Sequence, residues 1–252
     1  MTKHATFRFY EELNDFLPRG KRKKQFRYDF TGSPSVKDVV EAIGVPHSEI
    51  DLILVNGRSV TFDCNIREGD IISVYPVFES LDITEITHLR ETPLRTPKFI
   101  LDVNLGKLAK YMRMLGFDTL YDNDYEDSDI VAVSLSERRA IITRDTSLLK
   151  RKSVTHGYWV RSQHPKQQAA EVIRRFDLRS CIKPFSRCTM CNGTVGSVPK
   201  DAVIDKLEPK TKKYFEEFYR CGSCGKIYWK GSHFDNMSVF IHSLITLTSE
   251  KE

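Results

Sequence analysis

The pattern of apolar and polar positions divides the chain near Pro97. In residues 1–79, apolar and polar residues alternate as they do in half-buried strands, and this predicts strands at ATFRFY, QFRYDF, IDLILVNG and DIISVYPVF. Between the second and third of these strands, PSVKDVVEAIG has helical periodicity, with Ser35 suited to the N-cap and Gly44 to the end of the helix. The predicted order is therefore two strands, a helix and two strands.

This order and spacing are typical of an α+β β-grasp domain. The segments LILVNGRSV and REGDIISVYPVF resemble the ubiquitin-like sulfur carriers of thiamine and molybdopterin synthesis. Those carriers end in a free Gly-Gly, whereas the equivalent segment here, PVFESLD, lies inside the chain and contains no glycine. Sulfur transfer is therefore not expected, and a scaffolding role or binding of a protein partner is the better prediction.

After a predicted linker at residues 80–96, strands alternate with helices. Strands are predicted at KFILD, DTLY, AIIT and VTHGYWV. Helices are predicted at NLGKLAKYMRMLGF, with Asn104 as its cap and Gly116 as its end, and at DSDIVAVSLSER, TSLLKRK and HPKQQAAEVIRRF. Alternation of this kind favours right-handed crossovers and a parallel sheet, so residues 97–180 are predicted to form an α/β domain.

Length and charge narrow the class of protein. The 252 residues suffice for two or three small domains, and 40% of them are hydrophobic. The sequence contains no run of 18 apolar residues, so no membrane span is predicted. The segment MTKHATFRFY lacks the apolar region of a secretory signal, and a cytoplasmic location is therefore expected. The net charge is +5, with the basic excess in the last two thirds of the chain. This distribution is consistent with an anionic partner.

Three carboxylates are placed where a parallel sheet brings strand ends together. Asp102 closes the strand KFILD, Asp145 follows AIIT, and Asp127 begins the helix that leads into AIIT. If the two strands are neighbours, all three carboxylates face the crevice beyond the carboxyl ends of the strands. Hard oxygen ligands suit Mg²⁺ or Mn²⁺, and such a cation can activate water towards a phosphodiester. The alternative is that Asp127, Asp129 and Asp145 simply cap helices.

Basic residues surround these acids in the sequence. Lys107, Lys110 and Arg113 are predicted to lie opposite the apolar face of their helix, and Arg144, Lys150, Arg151 and Lys152 flank Asp145. Such residues either form an ordinary solvated face or hold a phosphate backbone near a metal site. Lys107 and Arg113 are the candidates for the phosphate contacts.

Two C-x-x-C pairs follow, CTMCNG and CGSCGK. Four thiolates in two glycine-containing turns indicate a closed, structural zinc site formed by Cys188, Cys191, Cys221 and Cys224. The alternative of a redox dithiol does not explain two matching pairs. Residues 181–252 are therefore predicted to form a zinc ribbon and a C-terminal helix. Their lysines and aromatic residues suit either RNA contacts or the small core beside the zinc.

The segments FILDVNLGKLAKYMRMLGFDTLY, DSDIVAVSLSERRAIITRD and CTMCNG with CGSCGKIYWKGSHFDNM resemble the Mut7-C RNase family. That family is similar to PIN-like nucleases with an appended zinc ribbon, and the N-terminal segment resembles its ubiquitin-like domain. The resemblance implies a metal-dependent ribonuclease with acids at Asp102, Asp127 and Asp145. A fourth acid is usual in the PIN pattern, and the candidates are Asp122, Asp124 and Asp129.

These observations predict a cytoplasmic, metal-dependent endoribonuclease that acts on RNA. The predicted fold is an α/β, PIN-like parallel-sheet domain with a C-terminal zinc ribbon, preceded by a β-grasp domain. Two alternatives remain: a non-catalytic RNA-binding or ribosome-associated module, and an interaction protein whose β-grasp domain docks a partner.

Overall fold

A computed structural model describes residues 2–76 and 98–248. The predicted linker, residues 80–96, lies outside these ranges. The described residues form two compact units, one of residues 2–76 with 131–159 and the other of residues 98–130 with 160–248. Residues 131–159 thus group with the N-terminal residues, which chain order alone did not indicate.

The first unit contains a five-stranded mixed sheet with the order β2-β1-β5-β3-β4. Its strands are β1 (Lys3–Phe9), β2 (Phe26–Phe30), β3 (Ile50–Val55), β4 (Arg58–Ser59) and β5 (Ile71–Pro76). The first and fifth strands pair in parallel, and the other pairs are antiparallel. Together with helix α1 (Val36–Ile43) this arrangement confirms the predicted β-grasp fold.

The sequence signals at the ends of α1 act as predicted. The hydroxyl oxygen of Ser35 accepts a hydrogen bond of 3.1 Å from the backbone N–H of Asp38, which satisfies one donor of the first turn. Gly44 ends the helix with a φ angle of 124°, a conformation that favours glycine. Between these ends, Val36 and Val40 are fully buried against the sheet residues of the N-terminal core.

The first unit also contains β8 (Arg139–Thr143), α4 (Thr146–Leu149) and β9 (Gly157–Trp159). This segment is joined to the β-grasp residues by polar contacts. The fully buried Glu49 accepts a 2.5 Å hydrogen bond from the backbone N–H of Trp159, and the Ser48 hydroxyl donates to the carbonyl of Leu149 at 3.1 Å. The rings of Phe16 and Trp159 lie 5.0 Å apart. These contacts explain why residues 131–159 group with the N-terminal residues.

The second unit begins with β6 (Lys98–Leu101), α2 (Gly106–Met114) and β7 (Thr119–Leu120), and continues with α5 (Pro165–Arg175). Helix α3 (Asp127–Glu137) starts in this unit. In this unit β6 pairs in parallel with β7, and in the first unit β8 pairs in parallel with β9. These pairings confirm the predicted parallel sheet, and Phe99, Ile100 and Leu101 of β6 are fully buried, as is usual in such strands.

The start of α2 differs from the prediction. Asn104 lies inside a short 3-10 turn, Val103–Leu105, and Leu105 occupies the N-cap position of the α-helix. Asp102 takes the N-cap position of the 3-10 turn. The prediction of Asn104 as the cap was therefore wrong, because an extra turn of tighter helix separates the strand from α2.

The C-terminal part of the second unit forms the predicted ribbon. Strands β10 (Val195–Val198), β11 (Phe218–Cys221) and β12 (Ile227–Trp229) make an antiparallel sheet in that order. A short helix, α6 (Pro209–Tyr214), precedes β11, and the long α7 (Ser232–Leu247) follows β12. Within residues 2–76 and 98–248, every helix is too short or too polar to span a bilayer.

Candidate metal centre and acidic residues

Four cysteine side chains converge in the ribbon. Cys188 and Cys191 belong to the turn before β10, Cys221 ends β11, and Cys224 lies in the turn between β11 and β12. All four sulfur atoms lie within 4.8 Å of one another. The Sγ atoms of Cys188 and Cys224 are 3.7 Å apart, and those of Cys191 and Cys221 are 3.5 Å apart. This geometry fits a single metal ion with four sulfur ligands.

Backbone turns hold the cysteines in place. In the first turn the backbone N–H of Cys188 donates to the carbonyl of Gly193 at 2.7 Å. A Cβ atom at Gly193 would lie 2.8 Å from the sulfur of Cys221, so a larger residue would intrude on the ligand cluster. In the second turn Gly225 has a φ angle of 73°. The glycines near each pair therefore serve the turns and the close approach of backbone to sulfur.

The electrostatic surroundings of the thiols are unequal. Burial opposes ionisation of Cys188, but the hydroxyl of Tyr228, 3.0 Å from its sulfur, and nearby backbone N–H groups lower its pKa to about 6. Burial raises the pKa of Cys191 to about 12. The backbone N–H of Gly193 opposes this shift, and the neighbouring thiols add to it. A bound cation stabilises crowded thiols in their thiolate form. This agrees with the predicted zinc ion.

Arg113 does not lie on the exposed face that its helical spacing predicted. Only 5% of the residue is exposed. Its Nε donates to the carbonyl of Thr119 at 2.8 Å, and its Nη1 donates to the carbonyl of Met190 at 2.9 Å. Burial lowers the pKa of Arg113, and the negative field of Cys188 opposes that shift. The guanidinium thus links α2 and β7 to the first cysteine turn.

Asn192 makes a second link between the cysteine turn and β7. Its Oδ1 accepts a 2.9 Å hydrogen bond from the backbone N–H of Thr119, and its Nδ2 donates to Asp118 at 2.8 Å. Arg187 adds an ion pair of 3.2 Å to the same carboxylate. Asn192 and Asp118 were not among the residues predicted from the sequence. The only local signal was the position of Asn192 directly after the first C-x-x-C.

Replacing Arg113 with methionine is expected to destabilise the protein by about 3 kcal/mol, because carbonyls of β7 and the cysteine turn lose charge-assisted hydrogen bonds. Arg113→Lys is expected to recover only part of this loss, since an ammonium group lacks the planar fork that reaches several carbonyls. Urea unfolding measures both changes. Lys110→Met, at an exposed position of the same helix, is the control and should change stability by no more than about 0.5 kcal/mol. An Arg113→Met variant as stable as the wild type would contradict a structural role for this arginine.

The three predicted acids occupy element ends, as expected. Asp102 follows β6 and is buried, with 7% exposure, and Asp127 is the first residue of α3. Asp145 follows β8 and caps α4, because its two carboxylate oxygens accept from the backbone N–H and the hydroxyl of Ser147 at 2.7 and 2.8 Å. The capping alternative is thus confirmed for Asp145. Asp102 and Asp127 lie in the second unit and Asp145 in the first, so their convergence stays a prediction.

The candidates for a fourth acid differ in their surroundings. The carboxylate of Asp129 accepts a 3.0 Å hydrogen bond from the backbone N–H of Glu126, which caps the start of α3. Asp122 accepts from the backbone N–H of Asp124 at 3.1 Å, and both residues are exposed. The capping alternative is therefore confirmed for Asp129, and Asp122 and Asp124 remain the more available carboxylates.

Sequence profiles of known families match nearly the whole chain. The profile described as Mut7-C RNAse domain matches residues 97–241, and the one described as Mut7-C ubiquitin matches residues 2–82. The first match alone covers more than half of the chain. The chain belongs to the Mut7-C RNAse family. The order of the two domains in this Mut7-C protein agrees with the architecture predicted from its sequence.

Comparison with individual proteins adds little to the family match. The chain matches none of the proteins that have curated descriptions. Two structures from Haloferax volcanii are similar to part of this Mut7-C protein. The small archaeal modifier protein 1 is 20% identical over 30% of this chain and 99% of its own, with a TM-score of 0.25. The structure titled SAMP1 is 18% identical over 31% of this chain and 99% of its own, also with a TM-score of 0.25.

Proposed function

We propose that this Mut7-C protein is a metal-dependent ribonuclease that hydrolyses RNA phosphodiester bonds through an acidic site of Asp102, Asp127 and Asp145. The match of residues 97–241 to the Mut7-C RNAse domain carries the proposal, because it spans all three acids and the four cysteines. The positions of the acids support it further. Asp102 directly follows β6, and Asp145 stands two residues after the end of β8.

The donor set fits a hard divalent cation. Each acid contributes carboxylate oxygens, which Mg²⁺ and Mn²⁺ prefer over softer ligands. The bonds that Asp145 makes to Ser147 use only part of its capacity, since a carboxylate offers about four lone-pair sites. Asp102 is largely shielded from water, which strengthens its attraction to a cation. A bound Mg²⁺ or Mn²⁺ would supply Lewis-acid stabilisation of the charge that develops on the phosphodiester oxygens.

The two basic candidates, Lys107 and Arg113, have different roles in this proposal. Lys107 is exposed in the first turn of α2, five residues after Asp102 in the sequence, and is the residue we assign to a phosphate oxygen. Arg113 was the other candidate, but its bonds to the carbonyls of Thr119 and Met190 support a structural role instead. The four cysteines would hold a structural Zn²⁺, because a closed set of four sulfur ligands leaves no coordination position for substrate.

Cleavage of RNA by the purified full-length protein tests the proposal. We expect a fluorescent single-stranded RNA and a hairpin RNA to be cut with Mg²⁺ or Mn²⁺, and cleavage to be lost when Ca²⁺ replaces them or divalent ions are omitted. Measuring bound zinc in the same samples verifies that the ribbon stays loaded. Undiminished cleavage without Mg²⁺ or Mn²⁺ would overturn the metal-dependent mechanism.

The alternative function is RNA binding without catalysis. The exposed aromatic residues of the ribbon favour it, because such side chains stack on unpaired bases. A wild-type protein that binds RNA but does not cut it under any metal condition would support this alternative over the ribonuclease.

A further inference from the structure

A cavity of about 360 Å³ lies in the second unit, on one face of the ribbon sheet. Its walls come from β10, β11 and β12, from the segment that leads into the first cysteine turn, and from the first turns of α7. Aromatic rings and one thioether dominate the lining, namely Phe185, Tyr219, Tyr228, Trp229, Phe234 and Met237. The cavity has the size and apolar character of sites that bind small organic groups.

The strand register explains why the aromatic residues face a cavity rather than a core. Tyr219 pairs with Tyr228 on β12 and with Ser197 on β10, so these three side chains share one face of the sheet. Phe218, the neighbour of Tyr219, points to the opposite face and packs in the small core with Val203 and Leu207. The core of the ribbon therefore lies on the face of the sheet that carries Phe218. The face that carries Tyr219 and Tyr228 lines the cavity.

Two further rings belong to the lining. Those of Phe185 and Phe234 lie 4.6 Å apart beside the cavity. Trp229 also borders the cavity, but its pairing with Phe218 places its side chain on the core face of the sheet. Flat aromatic surfaces of this kind provide stacking platforms for nucleic-acid bases, each of which has a π-face.

Two cationic side chains also line the cavity. Lys230 is half-exposed and pairs with the exposed Glu217 at 2.5 Å, and Arg187 pairs with Asp118 at 3.2 Å. An exposed ion pair such as Lys230–Glu217 is screened by water and contributes little to stability, so an RNA phosphate can replace Glu217 at little cost. The combination of stacking surface and adjacent cation matches the backbone and base of a nucleotide rather than a purely apolar ligand.

We propose that this aromatic cleft binds an unpaired base of single-stranded RNA, with Lys230 on the adjacent phosphate. The inference rests on the proposed function in taking RNA as the ligand, and it assigns the ribbon a role in holding the substrate as well as in structure. Tyr219 supplies the sheet-side stacking surface. Tyr228 is a poor choice for a test, because its hydroxyl lies 3.0 Å from the sulfur of Cys188.

RNA binding by the full-length protein and its Tyr219→Leu variant tests the cleft. We would measure fluorescence anisotropy without Mg²⁺ or Mn²⁺, using a labelled ten-nucleotide RNA and an oligomer of the same length in which every base is absent. Tyr219→Leu is expected to weaken RNA binding about tenfold and to leave binding of the abasic oligomer unchanged. Tyr219→Phe retains the ring and is expected to bind like the wild type.

Tyr214→Leu is the matched control, because Tyr214 is an aromatic residue of the same ribbon with 67% exposure that does not line the cleft. Zinc content and thermal unfolding of each variant verify that the ribbon is intact. If folded Tyr219→Leu binds RNA as tightly as the wild type, or if it loses affinity equally for the abasic oligomer, base stacking in the cleft is refuted.

The two proposals fail in different ways. A wild type that cuts RNA while Tyr219→Leu binds normally would overturn the cleft and keep the ribonuclease. A wild type that binds bases through Tyr219 but never cuts RNA would keep the cleft and overturn the ribonuclease.

Discussion

Replacing Asp102 with asparagine is expected to reduce the rate of RNA cleavage by about 100-fold or more while the protein remains folded. The change removes one negative charge from the proposed site and keeps the size of the side chain. A neutral amide is a weaker ligand for Mg²⁺ or Mn²⁺, and loss of a single electrostatic contact to a transition state commonly costs two to three orders of magnitude in rate.

Initial rates on a labelled RNA in the presence of Mn²⁺ measure this effect. Asp205→Asn, an equal change of charge at an exposed position outside the proposed acidic site, is the matched control and should cleave at the wild-type rate. Both variants are purified in the same way as the wild type. A contaminating nuclease would then cut RNA at the same rate in all three preparations. Wild-type cleavage by a folded Asp102→Asn variant would remove the basis for the acidic site.

Asp145→Asn separates the two roles of that residue. Asparagine is as good an N-cap as aspartate, so the hydrogen bond from the backbone N–H of Ser147 can be retained and stability should change by no more than about 0.5 kcal/mol. Cleavage should nevertheless fall as it does for Asp102→Asn. A variant with normal stability and normal cleavage would show that Asp145 serves only as a cap.

Replacing Cys188 with serine is expected to abolish stoichiometric zinc binding and to unfold the ribbon. Structural zinc sites of four ligands contribute about 10–16 kcal/mol of binding free energy, which is also folding free energy. Cys188 is fully buried, and the turn that contains it is tied to β7 through Arg113 and Asn192. Loss of the metal should therefore loosen β7 as well as the ribbon.

Zinc content by mass spectrometry and amide hydrogen exchange measure the two parts of this prediction. Exchange should accelerate in β10, β11 and β12 and around Thr119, and stay slow in the β-grasp sheet. Cys181→Ser, at an exposed cysteine outside the four-sulfur cluster, should retain one zinc per chain and wild-type exchange. One equivalent of zinc and wild-type protection in Cys188→Ser would contradict the proposed centre.

Features that depend on near neighbours in the chain could be predicted. The caps of α1 follow from Ser35 and Gly44, whose effects reach only a few residues. The cysteine cluster follows from two short turns, since each C-x-x-C presents both sulfur atoms to the same side. The acids at strand ends follow from hydrophobic runs that stop at a charged residue.

Features that depend on residues distant in the chain could not be predicted from the sequence. Arg113 has the spacing of a solvent-facing residue, and it is buried because carbonyls 76 and 77 positions away, in the first cysteine turn, accept its hydrogen bonds. Glu49 gave no signal, because its partner is a backbone N–H of β9 that is 110 residues away.

By itself the sequence determined the order of strands and helices, the β-grasp and zinc-ribbon patterns, and the clustering of the four thiols, because each rests on periodicity or short spacing. Only the tertiary structure decided which polar groups are buried, which residues fasten the cysteine turn to β7, and that the tyrosine face of the ribbon lines a cleft. The physical reason is that a buried polar group needs a hydrogen-bond partner. The fold can supply that partner from any part of the chain, near or distant in sequence.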